Sequence, residues 1–144
     1  MRPRTELANK AGITTNRGIV VNRQLETNIK DIYSLGDCAE VEGHVLPYVM
    51  PIMQAARVLA NNLSGQENML TYPAMPVMVK TPALPLVVSP PPAGSEGAWA
   101  IQSEENGMEG LFYNSHTELL GFALAGSATA KRAALTKLLP NILG

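Results

Sequence analysis

Apolar residues change their spacing along this chain, and each change marks an element. A short stretch after Thr5 reads as one brief helix ending at Gly12. The run Gly18, Ile19, Val20 and Val21 is rich in β-branched residues and predicts a strand. A polar connection over residues 22–30 leads to Ile32, Tyr33, Ser34 and Leu35, which predict a second strand ending at Gly36 and Asp37. Next, Ile52, Ala55, Ala56, Leu59, Ala60 and Leu63 recur at intervals of three and four, the period that lines one face of a helix. Pro51 suits its first turn, and Gly65 suits a position just past its end.

The pattern then breaks. Seven of the 11 prolines fall between Pro73 and Pro92, both included, around two short extended runs at residues 77–80 and 86–88. Proline beside a strand indicates sheet edges and bulges, and here also a seam between domains, placed near Tyr72. Residues 1–72 and 73–144 are therefore expected to form separate units. In the second, residues 99–103 and 110–113 flank a loop holding Asn106 and Gly107, a favourable turn pair. A further turn at residues 114–117 leads to a strand over residues 119–125. A helix from about Ser127 to Leu139 closes the pattern, with Ser127 as its cap and Pro140 as its stop.

Composition narrows the function. A length of 144 residues with 46% hydrophobic content supports one core or two small ones. Only 16% of residues are charged and the formal net charge is -1, so no basic field exists to hold nucleic acid. The longest apolar runs fall well short of the roughly 18 residues of a membrane span, and residues 1–10 lack the apolar core of a secretion signal. The single cysteine, Cys38, excludes an internal disulfide framework and suits a reducing, cytoplasmic setting.

Chemistry concentrates in few places. A strand that delivers a glycine and then a carboxylate at its carboxyl end matches the ligand-binding edge of open α/β sheets. Gly36 lets a ligand approach the backbone, and an ionised Asp37 accepts hydrogen bonds from sugar-alcohol hydroxyls. Taken alone, the dipeptide also reads as a plain turn. The start of the helix after Tyr48 offers unpaired amides and a partial positive charge, although an ordinary amphipathic core helix explains its apolar face equally. Lys80 sits among prolines and apolar residues, where a solvated charge is the default reading.

Longer stretches carry a family resemblance. Residues 27–37, TNIKDIYSLGD, resemble the Thr-x6-small-x-Gly-Asp motif of pyridine-nucleotide-dependent flavoproteins, with Ser34 as the small residue. The run VKTPALPLVVSPPPAG, residues 79–94, resembles the carboxyl-terminal domain of rubredoxin reductases, as does the opening Arg-Pro-x-Thr-x-Leu-Ala of residues 2–8. The resemblance covers essentially the whole chain. It implies a mixed fold: part of a Rossmann-like FAD-binding domain (α/β), followed by a small antiparallel-sheet interface domain (α+β). It also implies that Asp37, beside Gly36, binds the ribityl chain of FAD. A backbone amide near Val49 would support the pyrimidine edge of the flavin, and Lys80 would reach the isoalloxazine ring and tune it.

The activity so implied is that of an FAD-dependent NAD(P)H oxidoreductase, with hydride passing to FAD and single electrons then passing to rubredoxin. Ferredoxin or flavorubredoxin is an alternative acceptor. A non-enzymatic piece that docks a carrier or a complementing amino-terminal chain is the rival of another class. Lys131, Arg132 and Lys137 offer a possible contact for an acidic carrier, and equally an ordinary solvated helix face.

The glycine-rich Gly-x-Gly-x-x-Gly loops for the FAD pyrophosphate and for NAD(P)H do not occur in these residues. The chain thus reads as starting in the middle of a nucleotide-binding fold, and by itself it is expected to bind FAD weakly or not at all. The His-x4-Glu pair of disulfide reductases is not found either, because Val49 follows His44 and Gly121 follows His116 at that spacing. Two histidines also make no convincing metal site. Cys38 reads as a small buried residue beside the cofactor rather than as a redox thiol.

Overall fold

The computed structural model describes residues 2–79, 81 and 83–144. The chain divides into two units, one running to Tyr72 and including Leu143, the other comprising Pro73–Ile142 and Gly144.

The first unit holds a short helix α1 (Glu6–Lys10), strands β1 (Ile19–Val21) and β2 (Ala39–Val41), and a longer helix α2 (Val49–Leu63). Gly12, at φ +77°, ends the first helical segment in the left-handed conformation that glycine adopts without strain. The two strands are parallel, with Ile19 opposite Ala39 and Val21 opposite Val41. Val21, Leu25, Val41, Ala55 and Leu70 are buried and form its apolar interior. Each fully buried leucine contributes about 1.5–3 kcal/mol relative to exposure.

The strand expected at residues 32–35 is not a strand. Tyr33 makes an isolated bridge to Glu26, and the regular strand instead follows Asp37, at Ala39–Val41. The reason lies in the neighbouring turn. Leu25 and Asp31 both have positive φ, 68° and 63°, which folds residues 25–34 back on themselves. The Ser34 amide then bonds the Leu25 carbonyl at 3.0 Å, and the Thr27 amide bonds the Ile32 carbonyl at 2.8 Å. Asp37 therefore precedes a strand where the sequence placed it after one.

Helix α2 matches its period, with Pro51 inside the first turn and Gly65, at φ +86°, beyond the end. Its apolar face is covered only in part. Ala55 and Pro51 are buried, whereas Leu63 is 65% exposed.

The second unit is a five-stranded antiparallel sheet of β3 (Val77–Val79), β4 (Leu86–Ser89), β5 (Ala98–Glu104), β6 (Gly107–Tyr113) and β7 (Leu119–Gly126), in the order β3-β4-β7-β6-β5. Val87 opposes Leu124, and Leu111 opposes Phe122, so these side chains share one face. There Val87, Phe122, Leu124 and Ala128 form the core, with Leu111, Leu135 and Leu139 against it. On the hairpin, the Trp99 and Phe112 rings meet edge to face at 5.4 Å.

Two expectations shift here. Glu104 opposes Gly107, so the hairpin loop consists of residues 105–106, and Gly107 opens β6 instead of closing the turn. A Cβ on Gly107 would stand 2.6 Å from Ser127 Oγ and 2.7 Å from the Ala125 carbonyl oxygen, so close approach is what demands glycine there. The closing helix is also shorter than expected. Residues Ser127–Lys131 form a 3-10 turn, and the α-helix α3 spans only Arg132–Thr136. Ser127 makes no capping bond, and the Thr129 hydroxyl instead donates to the Gly126 carbonyl at 2.7 Å. The mixed class, α/β then α+β, is the one the sequence implied.

Candidate functional site

Gly36 and Asp37 form the turn that leads into β2. Gly36 has φ +91°, and no atom lies within 4 Å of the place a Cβ would occupy, so the approach to its backbone is open. Its carbonyl accepts the Ala39 amide at 3.1 Å, which closes the turn. Asp37 is exposed, and its carboxylate makes no hydrogen bond or ion pair among the described residues. A carboxylate in this state is free to accept two or more hydroxyl donors.

The base of the turn is held from β1. The Ile19 amide donates to the Cys38 carbonyl at 2.7 Å. Gly18 precedes it, and a Cβ there would stand 2.7 Å from that same carbonyl oxygen. Cys38 is half-buried, with Sγ 3.8 Å from Ser34 Oγ. It packs against the motif's small residue, and its thiol is also in weak hydrogen-bond reach of the Leu35 carbonyl at 3.9 Å.

Glu40 is the residue that sequence reasoning missed. It lies at the centre of β2 and is only 3% exposed. Its Oε2 accepts the Gly18 amide at 2.8 Å, and its Oε1 accepts Asn16 Nδ2 at 2.8 Å. Burial pushes its carboxyl pKa up, but hydrogen bonds from Gly18, Asn16 and the Arg17 backbone, with the Arg17 charge, outweigh this and hold it below the ordinary value. Asn16, Arg17 and Gly18 form a turn whose donors converge on one point. Only the parallel pairing of β1 with β2 brings Glu40 to that point.

Val49 is the first residue of α2, and its side chain is 72% exposed. The Tyr48 amide donates to the Leu46 carbonyl at 2.9 Å. Pro51 has no amide hydrogen, and no side chain caps the helix. The Val49 and Met50 amides are thus left without a partner among the described residues, and no acidic side chain occupies the first turn. Two amides at the positive end of a 15-residue helix suit an electron-rich carbonyl or an anion. Nearby, burial raises the pKa of Tyr48, and burial together with Tyr48 raises that of Tyr72.

Lys80 lies outside the described residues. Of the three basic residues considered for carrier docking, Lys131 is already engaged, with Nζ 2.8 Å from Glu104 and 3.3 Å from Glu109. Arg132 and Lys137 remain exposed. Among the described residues no cluster of three or more potential metal ligands exists, and no helix is long and apolar enough to cross a membrane.

Comparison with known proteins places these elements. Residues 1–61 match the family described as pyridine nucleotide-disulphide oxidoreductase, and residues 69–139 match the rubredoxin binding C-terminal domain. Over 143 residues, 99% of the chain, it is 50% identical to the rubredoxin-NAD(+) reductase of Alcanivorax borkumensis, of which it covers 37%. The first part of the chain is thus similar to the pyridine nucleotide-disulphide oxidoreductase family, and the second to the rubredoxin binding C-terminal domain.

The part of that relative matched by this chain is its carboxyl-terminal portion. A second relative, the nitric oxide reductase FlRd-NAD(+) reductase of Escherichia coli, is 41% identical over 97% of the chain and 37% of its own length. The chain thus spans little more than a third of these curated relatives. In fold it is similar to the crystal structure of NADH:rubredoxin oxidoreductase from Clostridium acetobutylicum, with a TM-score of 0.75 at 22% identity, covering 95% of this chain and 35% of that one. The likeness to rubredoxin reductases read from residues 2–8 and 79–94 is borne out.

Proposed function

We propose that this chain supplies the ribityl-binding and carrier-docking part of a flavoprotein that moves electrons from NAD(P)H through FAD to rubredoxin. The observation that carries the reading is the exposed carboxylate of Asp37, without a partner among the described residues, beside the open backbone of Gly36. FAD, when bound, supplies the exchange between hydride and single-electron chemistry. Asp37 accepts hydrogen bonds from the polyol, and Gly36 admits it to van der Waals distance. The Val49 and Met50 amides favour negative charge on the pyrimidine edge. Lys80 is assigned to the ring edge by its position in the family run.

The residues described fit one arm of a flavin and not a whole dinucleotide. No glycine-rich pyrophosphate loop occurs among them, so the chain alone is expected to bind FAD weakly or not at all. Rubredoxin is the acceptor favoured by the family matched at residues 69–139. A flavorubredoxin-type carrier is the second reading, favoured by the similarity to the FlRd-NAD(+) reductase. Cytoplasmic operation fits the single cysteine.

The test is complementation. The chain is co-expressed with a polypeptide supplying both glycine-rich loops, and flavin absorbance and NADH-dependent reduction of each carrier are followed. Recovery of bound flavin only in the mixture is expected, and Asp37→Asn should weaken its retention about tenfold or more, the loss of charge-assisted hydrogen bonds. Equal retention by Asp37→Asn overturns the assignment. No association between the two polypeptides counts against the complementing piece.

A further inference from the structure

We propose that Glu40 is a positioning residue for Asp37: by gathering the amides of the preceding turn, it sets the direction in which the Asp37 carboxylate points. The inference deepens the flavin reading and rests on it for its functional meaning, while its structural part stands alone.

A carboxylate that is 3% exposed on a three-residue strand needs compensation, and Glu40 obtains it from one short segment. Gly18 N–H and Asn16 Nδ2 both donate to it. Each of these groups needs an acceptor, and a carboxylate is acceptor-only, so it fits where an amide would set donor against donor. Fixing residues 16–18 fixes the next amide, that of Ile19, which holds the Cys38 carbonyl at 2.7 Å. Cys38 is bonded to Asp37, and the Ala39 amide returns to the Gly36 carbonyl at 3.1 Å. The constraint therefore passes from Glu40 through Gly18 and Ile19 to the peptide of Cys38. Gly18 permits it, since any larger residue would drive β1 away from that carbonyl. Asp37 itself has no partner among the described residues, so its direction depends on this backbone clamp.

Amide hydrogen exchange on the whole 15N-labelled chain tests the clamp without any ligand. In Glu40→Gln the Ile19 and Ala39 amides are expected to exchange about tenfold faster or more, while the amides of α2 and β7 keep their rates. Unchanged rates at Ile19 and Ala39 overturn the proposal. So does an equal acceleration of every amide in the first unit, which would mark a merely global loss of stability. Should Glu40→Gln fail to fold, Asn16→Ala removes one donor and should give the same local pattern, weaker.

A second arm, run on the mixture of this chain with the polypeptide supplying both glycine-rich loops, compares riboflavin with lumiflavin, the same ring without the polyol, by fluorescence quenching. Asp37→Asn should abolish any preference for riboflavin, and Glu40→Gln should do the same while leaving lumiflavin binding unaltered. Loss in Asp37→Asn but not in Glu40→Gln overturns the positioning role. No preference in the wild-type mixture, with the local exchange pattern present, overturns the flavin reading of the turn and leaves the clamp supported.

Discussion

Tyr72 and Leu143 exchange both backbone hydrogen bonds. The Tyr72 amide reaches the Leu143 carbonyl at 2.8 Å, and the Leu143 amide returns to the Tyr72 carbonyl at 3.0 Å. Both side chains are buried, at 5% exposure each. The penultimate residue therefore completes the first unit, although the segment before it belongs to the second. Leu143→Ala keeps the backbone pair and removes the side chain. It should cost about 2–5 kcal/mol, read as a lower urea midpoint at unchanged slope.

Gly18 is required by proximity, not by an unusual backbone angle. Gly18→Ala would place a methyl group 2.7 Å from the Cys38 carbonyl oxygen and 3.1 Å from Glu40 Cβ. Backbone has to move, so a loss of about 1–3 kcal/mol is expected. Gly36→Ala provides the contrast. It meets no neighbour within 4 Å, and its cost comes only from the φ of +91°. A thermal melt of both variants, with Ile19 exchange in the first, checks the distinction.

The pH dependence follows from Glu40. Its folded-state pKa lies below the ordinary 4.5 because hydrogen bonds to the ionised form outweigh burial. A depressed carboxyl pKa stabilises the fold above the unfolded value, and that stability is lost as pH falls through the folded value. Urea unfolding of the wild type and Glu40→Gln should therefore show a gap that is constant from about pH 6 to 7. It should close progressively below about pH 4.5. A gap of constant size down to about pH 3 would contradict this origin.

In the second unit the core and the sheet edge should respond to very different extents. Phe122 is 0% exposed at the centre of the sheet, and its truncation to alanine should cost about 3–5 kcal/mol. Ile101, on the outer strand β5, is 67% exposed, and the same truncation should stay within about 0.5 kcal/mol. Paired urea titrations read both.

Much was legible because it is local. The period of α2, the strands around the prolines, the outer hairpin and the turn ahead of β7 follow from residues close in sequence, whose dihedral preferences need no distant partner. The Gly36 and Asp37 turn was legible for a different reason, as a stretch of fixed chemistry that resembles a family motif. Tertiary structure decided the rest. Residues 32–35 carry strand-forming side chains, yet the positive φ of Leu25 and Asp31 turns that segment back onto residues 25–27, and the regular strand forms after Asp37. Asn106 and Gly107 carry a good turn signal, but cross-strand pairing and the closeness of Ser127 set the loop one residue earlier. A glutamate between alanine and valine reads as surface. Only the alignment of β1 beside β2 surrounds Glu40 with donors, because hydrogen bonds between residues 22 positions apart have no signature in either segment alone.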